Sequence, residues 1–156
     1  MKALLQVNNA TAATDWGLLL LRIGIATLML THGIPKLGML FSEAPLQFPP
    51  VLGMSAPLSL TLTIFSEIVC SLFILVGLAT RFATIPLAIT MAVAAWYIHG
   101  ADPFSVQEMS LHYLLVYLVL LFSGSGRYSI DYLLQQKGLI LNKTVGKTAD
   151  QVMVNR

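Results

Sequence analysis

Four apolar stretches constrain this chain more than anything else in it. A helix needs about 20 apolar residues, range ~17–25, to cross the hydrocarbon core. The runs Trp16–His32, Pro57–Leu78 and Phe82–His99 fit that length directly. The run Met109–Phe122 looks short, but "SVQE" at Ser105–Glu108 reads as a capping box. That moves the start back to Val106 and gives a span of about 27 Å at the helical rise. Only 10% of the residues are charged, against about 25% in soluble domains. The expected fold is all-α: an integral membrane four-helix bundle over residues 16–123. A segment at 1–15 precedes it and a region at 124–156 follows.

The connections refine this. Those between the second and third and the third and fourth spans are short, so these helices pair antiparallel. The first connection, 33–56, carries Pro35, Pro45, Pro49 and Pro50 with Phe41 and Phe48. A loop of that length reads as a lid or binding loop, or as a flexible insertion. Beyond the fourth span, Ser129 suits an N-cap, Asp131 a first turn, Lys137 a last turn and Gly138 the C′ position. Ile130, Leu133 and Leu134 then share one face, which predicts an amphipathic helix on the membrane surface, followed by a basic tail.

Four spans put both termini on one side with Lys2, Arg81, Arg127, Lys137, Lys143, Lys147 and Arg156, against Lys36 alone on the other. The positive-inside bias makes that side cytoplasmic. The polar stretch Gln6–Asp15 interrupts any signal-peptide core. "HGIP" and "HGADP" end the first and third spans, and "GLATR" and "GSGR" the second and fourth, which hints at a duplicated hairpin.

Several function classes are excluded. The one cysteine, Cys70, lies in an apolar run, so no intrachain disulfide or thiolate cluster forms. It reads as a small buried apolar residue. A net charge of +2 gives no footprint for nucleic acid. Phosphate loops and dinucleotide fingerprints are missing, which argues against flavin and nicotinamide cofactors.

Two polar groupings remain. Counting residues from the span ends places Arg22 and Glu67 at a similar depth, about 15 Å below the outer surface. Each alone costs about 2.5–3.5 kcal/mol on insertion scales. The expectation is that they face each other, as a packing bolt or as a site for a polar ligand or proton relay. The second grouping gathers all three histidines, His32, His99 and His112, at the outer end with Lys36 and Glu108. Glu108 and His112 are four apart and share a helix face. A quinone head-group site, a metal or bis-histidine haem site, or plain interfacial histidines all fit. The spacing demands no metal, so no metal site is assigned. Gly24, Thr27 and Thr31 form a small-residue stripe suited to close helix approach and to a homo-oligomer.

In order, "RIGIATLMLTHGIPKL", a glutamate, "LVGLATRFATIPLAITMAVAAWYIH" and "LLFSGSGRYSID" resemble the DoxX family of small four-helix bacterial membrane proteins. The likeness covers about Leu18 to Tyr132. It implies a multi-pass protein of the bacterial inner membrane. The family is named for a subunit of an archaeal thiosulfate:quinone oxidoreductase, and some members are linked to redox stress. The family's pattern positions fall on Arg22, Gly33, Lys36, Glu67, Gly77, Arg81, His99, Gly124, Gly126 and Asp131. Three functions follow as expectations. The first is a membrane subunit of a quinone-dependent oxidoreductase, with no cofactor of its own, a possible bound quinone and a cofactor-bearing redox partner. The second is a small-solute transporter with Arg22 as counter-ion. The third is a non-catalytic assembly or scaffold protein.

Overall fold

A computed structural model describes residues 11–137. The chain folds as α1 (Thr11–Leu40), α2 (Ala56–Val76), α3 (Thr80–Ile98), α4 (Phe104–Ser123) and a short α5 over 130–137, with no strand among the described residues. The first four are long and apolar enough to cross a bilayer, and they run alternately up and down. Large apolar side chains such as Leu20, Leu28, Leu115 and Phe122 point outward. In water such a surface would not stay dispersed; here it meets lipid. The protein is a multi-pass membrane bundle. Its core is built from Ala26, Met29, Ile74, Leu87, Tyr117 and Leu120, and Cys70 is buried among them.

The first helix departs from the expected boundary. It does not stop at His32 but continues through Gly33 and Pro35 to Leu40, so the loop shrinks to 41–55. Gly33 is a contact rather than a stop. A Cβ there would lie 2.8 Å from Ile68 Cγ1 and 3.1 Å from Glu67 Cβ, so glycine lets α1 press onto α2. Pro35 lacks the N–H that would reach the Thr31 carbonyl, a loss that membrane helices tolerate when neighbours hold the chain. The hinted duplication therefore fails at His32, which is mid-helix, whereas His99 does leave its helix. The capping box also fails. Pro103 occupies the N-cap of α4 without a side-chain cap, and Gln107 reaches back instead, donating to the carbonyls of His99 (2.7 Å) and Asp102 (3.1 Å).

The end of the bundle that carries 11–15 and 124–137 is tied by a knot of polar contacts. Arg22 donates Nε to Ile74 O (3.1 Å) and Nη2 to Tyr128 O (2.9 Å), and Nη1 also reaches Ser125 O. Gly77 sits at φ +71°, where an added Cβ would meet Ser129 Cβ at 2.5 Å and Arg22 Cζ at 2.9 Å. Both the left-handed backbone and the close approach require glycine. Arg81 donates to Phe122 O at the end of α4 (3.1 Å). Ser129 Oγ accepts from the Tyr132 N–H at the start of α5 (3.2 Å). Asp131 caps α3 from outside, its two oxygens accepting from the N–H groups of Ala79 (2.7 Å) and Thr80 (3.1 Å). An acid at a helix N-terminus is favoured by dipole and hydrogen bond together. Asp131→Ala is therefore expected to cost about 2 kcal/mol, read as a lower thermal-unfolding midpoint in detergent with the helix content of the folded state retained.

The basic tail expected from residue 139 onward lies outside the described residues, as do positions 1–10 of the N-terminal segment.

Candidate functional site

Glu67 lies near the middle of α2, about 16 Å by helical rise from Ala56 and about 14 Å from Val76. The helix around it is not regular: Phe65–Cys70 forms a π-helical turn, and Ala94–Ile98 forms another on the facing α3. Such turns insert a residue, locally widen the helix, and recur at functional sites. Glu67 is 2% exposed, and its Oε1 lies 2.5 Å from Lys36 Nζ. Glu67 Oε2 is buried with no hydrogen-bond partner among the described residues.

The expected Arg22–Glu67 pair is not formed. Gly33, not Arg22, stands opposite Glu67, and Arg22 is eleven residues earlier, about 16 Å down the helix. Counting depth from His32 misplaces Arg22 because the helix runs on to Leu40. Arg22 is 1% exposed and spends its donors on carbonyls. Its cation also suits the C-terminus of α2. Those donors commit it to the knot.

Two cavities flank the Lys36–Glu67 pair, and both also touch Ala94 and His99. The first, about 290 Å³, has aliphatic walls including Leu62 and Ile89 and lies under the loop residues Phe48, Val51 and Leu52. The second, about 320 Å³, lies between α1, α3 and α4 and adds His32, Ser110 and Tyr113. His32 meets Tyr113 edge-on, with ring centroids 5.7 Å apart and planes at 88°. Tyr113 in turn stacks on Tyr117 at 6.3 Å. His99 Nδ1 pairs with Asp102 Oδ2 at 2.8 Å. An aspartate on one ring nitrogen fixes the imidazole's orientation and leaves the other nitrogen for chemistry.

The loop above the first cavity is fastened. The Val51 N–H donates to Ser59 Oγ (3.2 Å), and the Met54 N–H donates to Val51 O (2.9 Å). Within this turn Leu52 adopts φ +52°, a conformation that costs a side-chain-bearing residue roughly 1–2 kcal/mol. Leu52 is also 63% exposed, so internal packing does not offset that strain. Strain of this kind concentrates where a ligand is held.

Of the outer-end residues, His32, Lys36 and His99 line the second cavity, and Glu67 joins them. Glu108 and His112 do share a face of α4, but it is an exposed one, and neither lines these cavities. The cavity takes Met109, Ser110 and Tyr113 instead, the next stripe round the helix. Asp102 was readable as a partner of His99 from its i,i+3 spacing. Gln107, as a clamp on that turn, had no sequence signal. The Gly24, Thr27 and Thr31 stripe faces outward, and both threonine hydroxyls bond their own helix.

Comparison with known families matches residues 17–100 to DoxX. A Haemophilus influenzae protein described as uncharacterized is 30% identical over 132 residues, 80% of this chain and 96% of its own length. A second protein of that organism, also described as uncharacterized, is 28% identical over 126 residues, 76% of this chain and 83% of its own. No solved structure matches.

Proposed function

The chain belongs to the DoxX family, and from that membership and its buried polar centre we propose a membrane subunit of a quinone-linked redox system. A quinone head group lies beside Lys36, Glu67 and His99. The observation that carries the reading is the Lys36–Glu67 pair: a buried carboxylate with one oxygen engaged and the other unpartnered, walled by two cavities at mid-membrane depth. Intramembrane ionisable groups mark ligand or proton pathways.

A quinone ring is flat and apolar with an acceptor oxygen at each end. The aliphatic walls of the first cavity suit the ring, and Lys36 Nζ has donors left beyond its bond to Glu67. Reduction adds two electrons and two protons, turning each carbonyl oxygen into a hydroxyl. The quinol then needs acceptors, and Glu67 Oε2 is one. His99, oriented by Asp102, exchanges protons with the loop end. The electrons come from a cofactor-bearing partner, and the reverse reaction uses the same groups. The setting is the bacterial inner membrane, with both termini cytoplasmic and the site reaching from mid-membrane toward the outer end.

The test is purification of the full chain in native-lipid nanodiscs. The expected results are quinone in the lipid extract above its bulk lipid ratio and saturable binding of tailless ubiquinone-0. A lipid extract with no quinone enrichment, together with no ubiquinone-0 binding, overturns the reading.

A further inference from the structure

We infer that the ligand enters sideways from the membrane, between α2 and α3, and that its apolar tail stays in that crevice below the 48–54 loop. This rests on the quinone reading and adds which class of quinone is taken: a lipid-dissolved, long-tailed one.

The first cavity is roofed by the loop and bordered by the α2 and α3 walls. Above, the loop is pinned by the Val51 N–H on Ser59 Oγ, and Leu52, at positive φ, is among the loop residues that line the cavity. Close to the depth of Glu67, Thr90 Oγ1 donates to Ser66 Oγ at 2.9 Å and ties α3 to α2. Ser66 is 2% exposed, so this tie is internal. Leu62 on α2 and Ile89 on α3 are among the cavity walls, and these are also outward-facing, 47% and 57% exposed. At their depth the outside is hydrocarbon. The cavity thus runs from a buried carboxylate and its part-exposed ammonium partner to an aliphatic slot at the lipid boundary.

That gradient matches a molecule with a polar ring and a hydrocarbon tail. A water-soluble ligand gains nothing from a lipid-side mouth. The second cavity is the less suitable tail route, because its lining brings in His32, Ser110 and Tyr113, polar groups better placed to serve proton exchange. Leu52 fits the same logic. Glycine suits its backbone better, and a leucine there supplies an apolar tile over the slot.

The experiment uses a ubiquinone analogue with a diazirine at the end of a ten-carbon tail, photolysed on the full chain in nanodiscs and mapped by mass spectrometry. Labelling is expected on 58–66 and 85–93 and is expected to fall at least fivefold with excess decylubiquinone. Labels on Met29 or Met109 instead, or labels spread over all lipid-facing helices without competition, overturn the inference. A second arm uses Leu62→Trp and Ile89→Trp, which fill the slot without touching the ion pair. Each is expected to weaken decylubiquinone at least fivefold while ubiquinone-0 changes less than twofold. Equal loss of both probes reports a collapsed site, and the label map then decides. Unchanged binding of both overturns the inference. If the wild-type chain binds neither probe, the quinone reading itself has failed, which is a separate result.

Discussion

Arg22→Leu is expected to destabilise the bundle severely, with a thermal-unfolding midpoint far below that of the wild type and less protein in the membrane fraction. The guanidinium joins α1 to the last turn of α2 through Ile74 O and to the 124–129 turn through Ser125 O and Tyr128 O. Leucine removes all of these donors from a site that is 1% exposed. The Ser125 and Tyr128 carbonyls lose this partner, each at about 1–3 kcal/mol, and the cation at the helix C-terminus is lost as well. A total on the order of 3–5 kcal/mol follows, a large part of an ordinary stability of about 5–15 kcal/mol. Arg22→Lys is expected to recover little, because an ammonium is a point donor and cannot fork across carbonyls on separate segments. Protease sensitivity and the thermal-unfolding midpoint measure it. A folded Arg22→Leu protein that had merely lost ligand binding would refute the structural role.

This prediction separates the two intramembrane charges that residue counting had joined. Arg22 looked like a counter-ion because its true partners are main-chain carbonyls, and a carbonyl carries no signal of residue type. The second, third and fourth spans were legible because each apolar run is closed by a visible break, such as Gly77, Gly100 or Gly124. The first runs on through Gly33 and Pro35, which are the usual stop signals. Here the glycine serves packing on Glu67, and the proline is carried within the helix. The π-helical turns at 65–70 and 94–98 left no trace in the composition. At the site, His32, Lys36 and His99 line one cavity, while Glu108 and His112, at the same level by residue count, do not. Level along a bundle follows from counting residues. Facing depends on helix rotation, which apolar residues on every side of a membrane helix leave undefined.

The Lys36–Glu67 pair is expected to behave differently from Arg22, and a double-mutant cycle shows how. Lys36→Met alone leaves a carboxylate that is 2% exposed without its cation. Breaking a buried pair from one side costs about 3–5 kcal/mol, so this single variant is expected to be the least stable of the set. Glu67→Gln alone keeps a hydrogen bond to Lys36 through the amide oxygen, and the Lys36 side chain, 27% exposed, borders both cavities. Its loss of stability is expected to stay near 1 kcal/mol. The double variant Lys36→Met/Glu67→Leu removes both charges, and apolar replacement of a buried pair is often neutral or stabilising. It is expected to fold at least as well as the wild type and to bind ubiquinone-0 at least tenfold more weakly, the equivalent of about 1.4 kcal/mol or more. Folding recovered with binding lost identifies the pair as the floor of a site. Recovered folding with unchanged binding would make it a packing device, and the ligand would then have to be sought elsewhere in the bundle. A double variant as unstable as Lys36→Met would mean that the charges hold α1 against α2 in a way apolar contacts cannot replace.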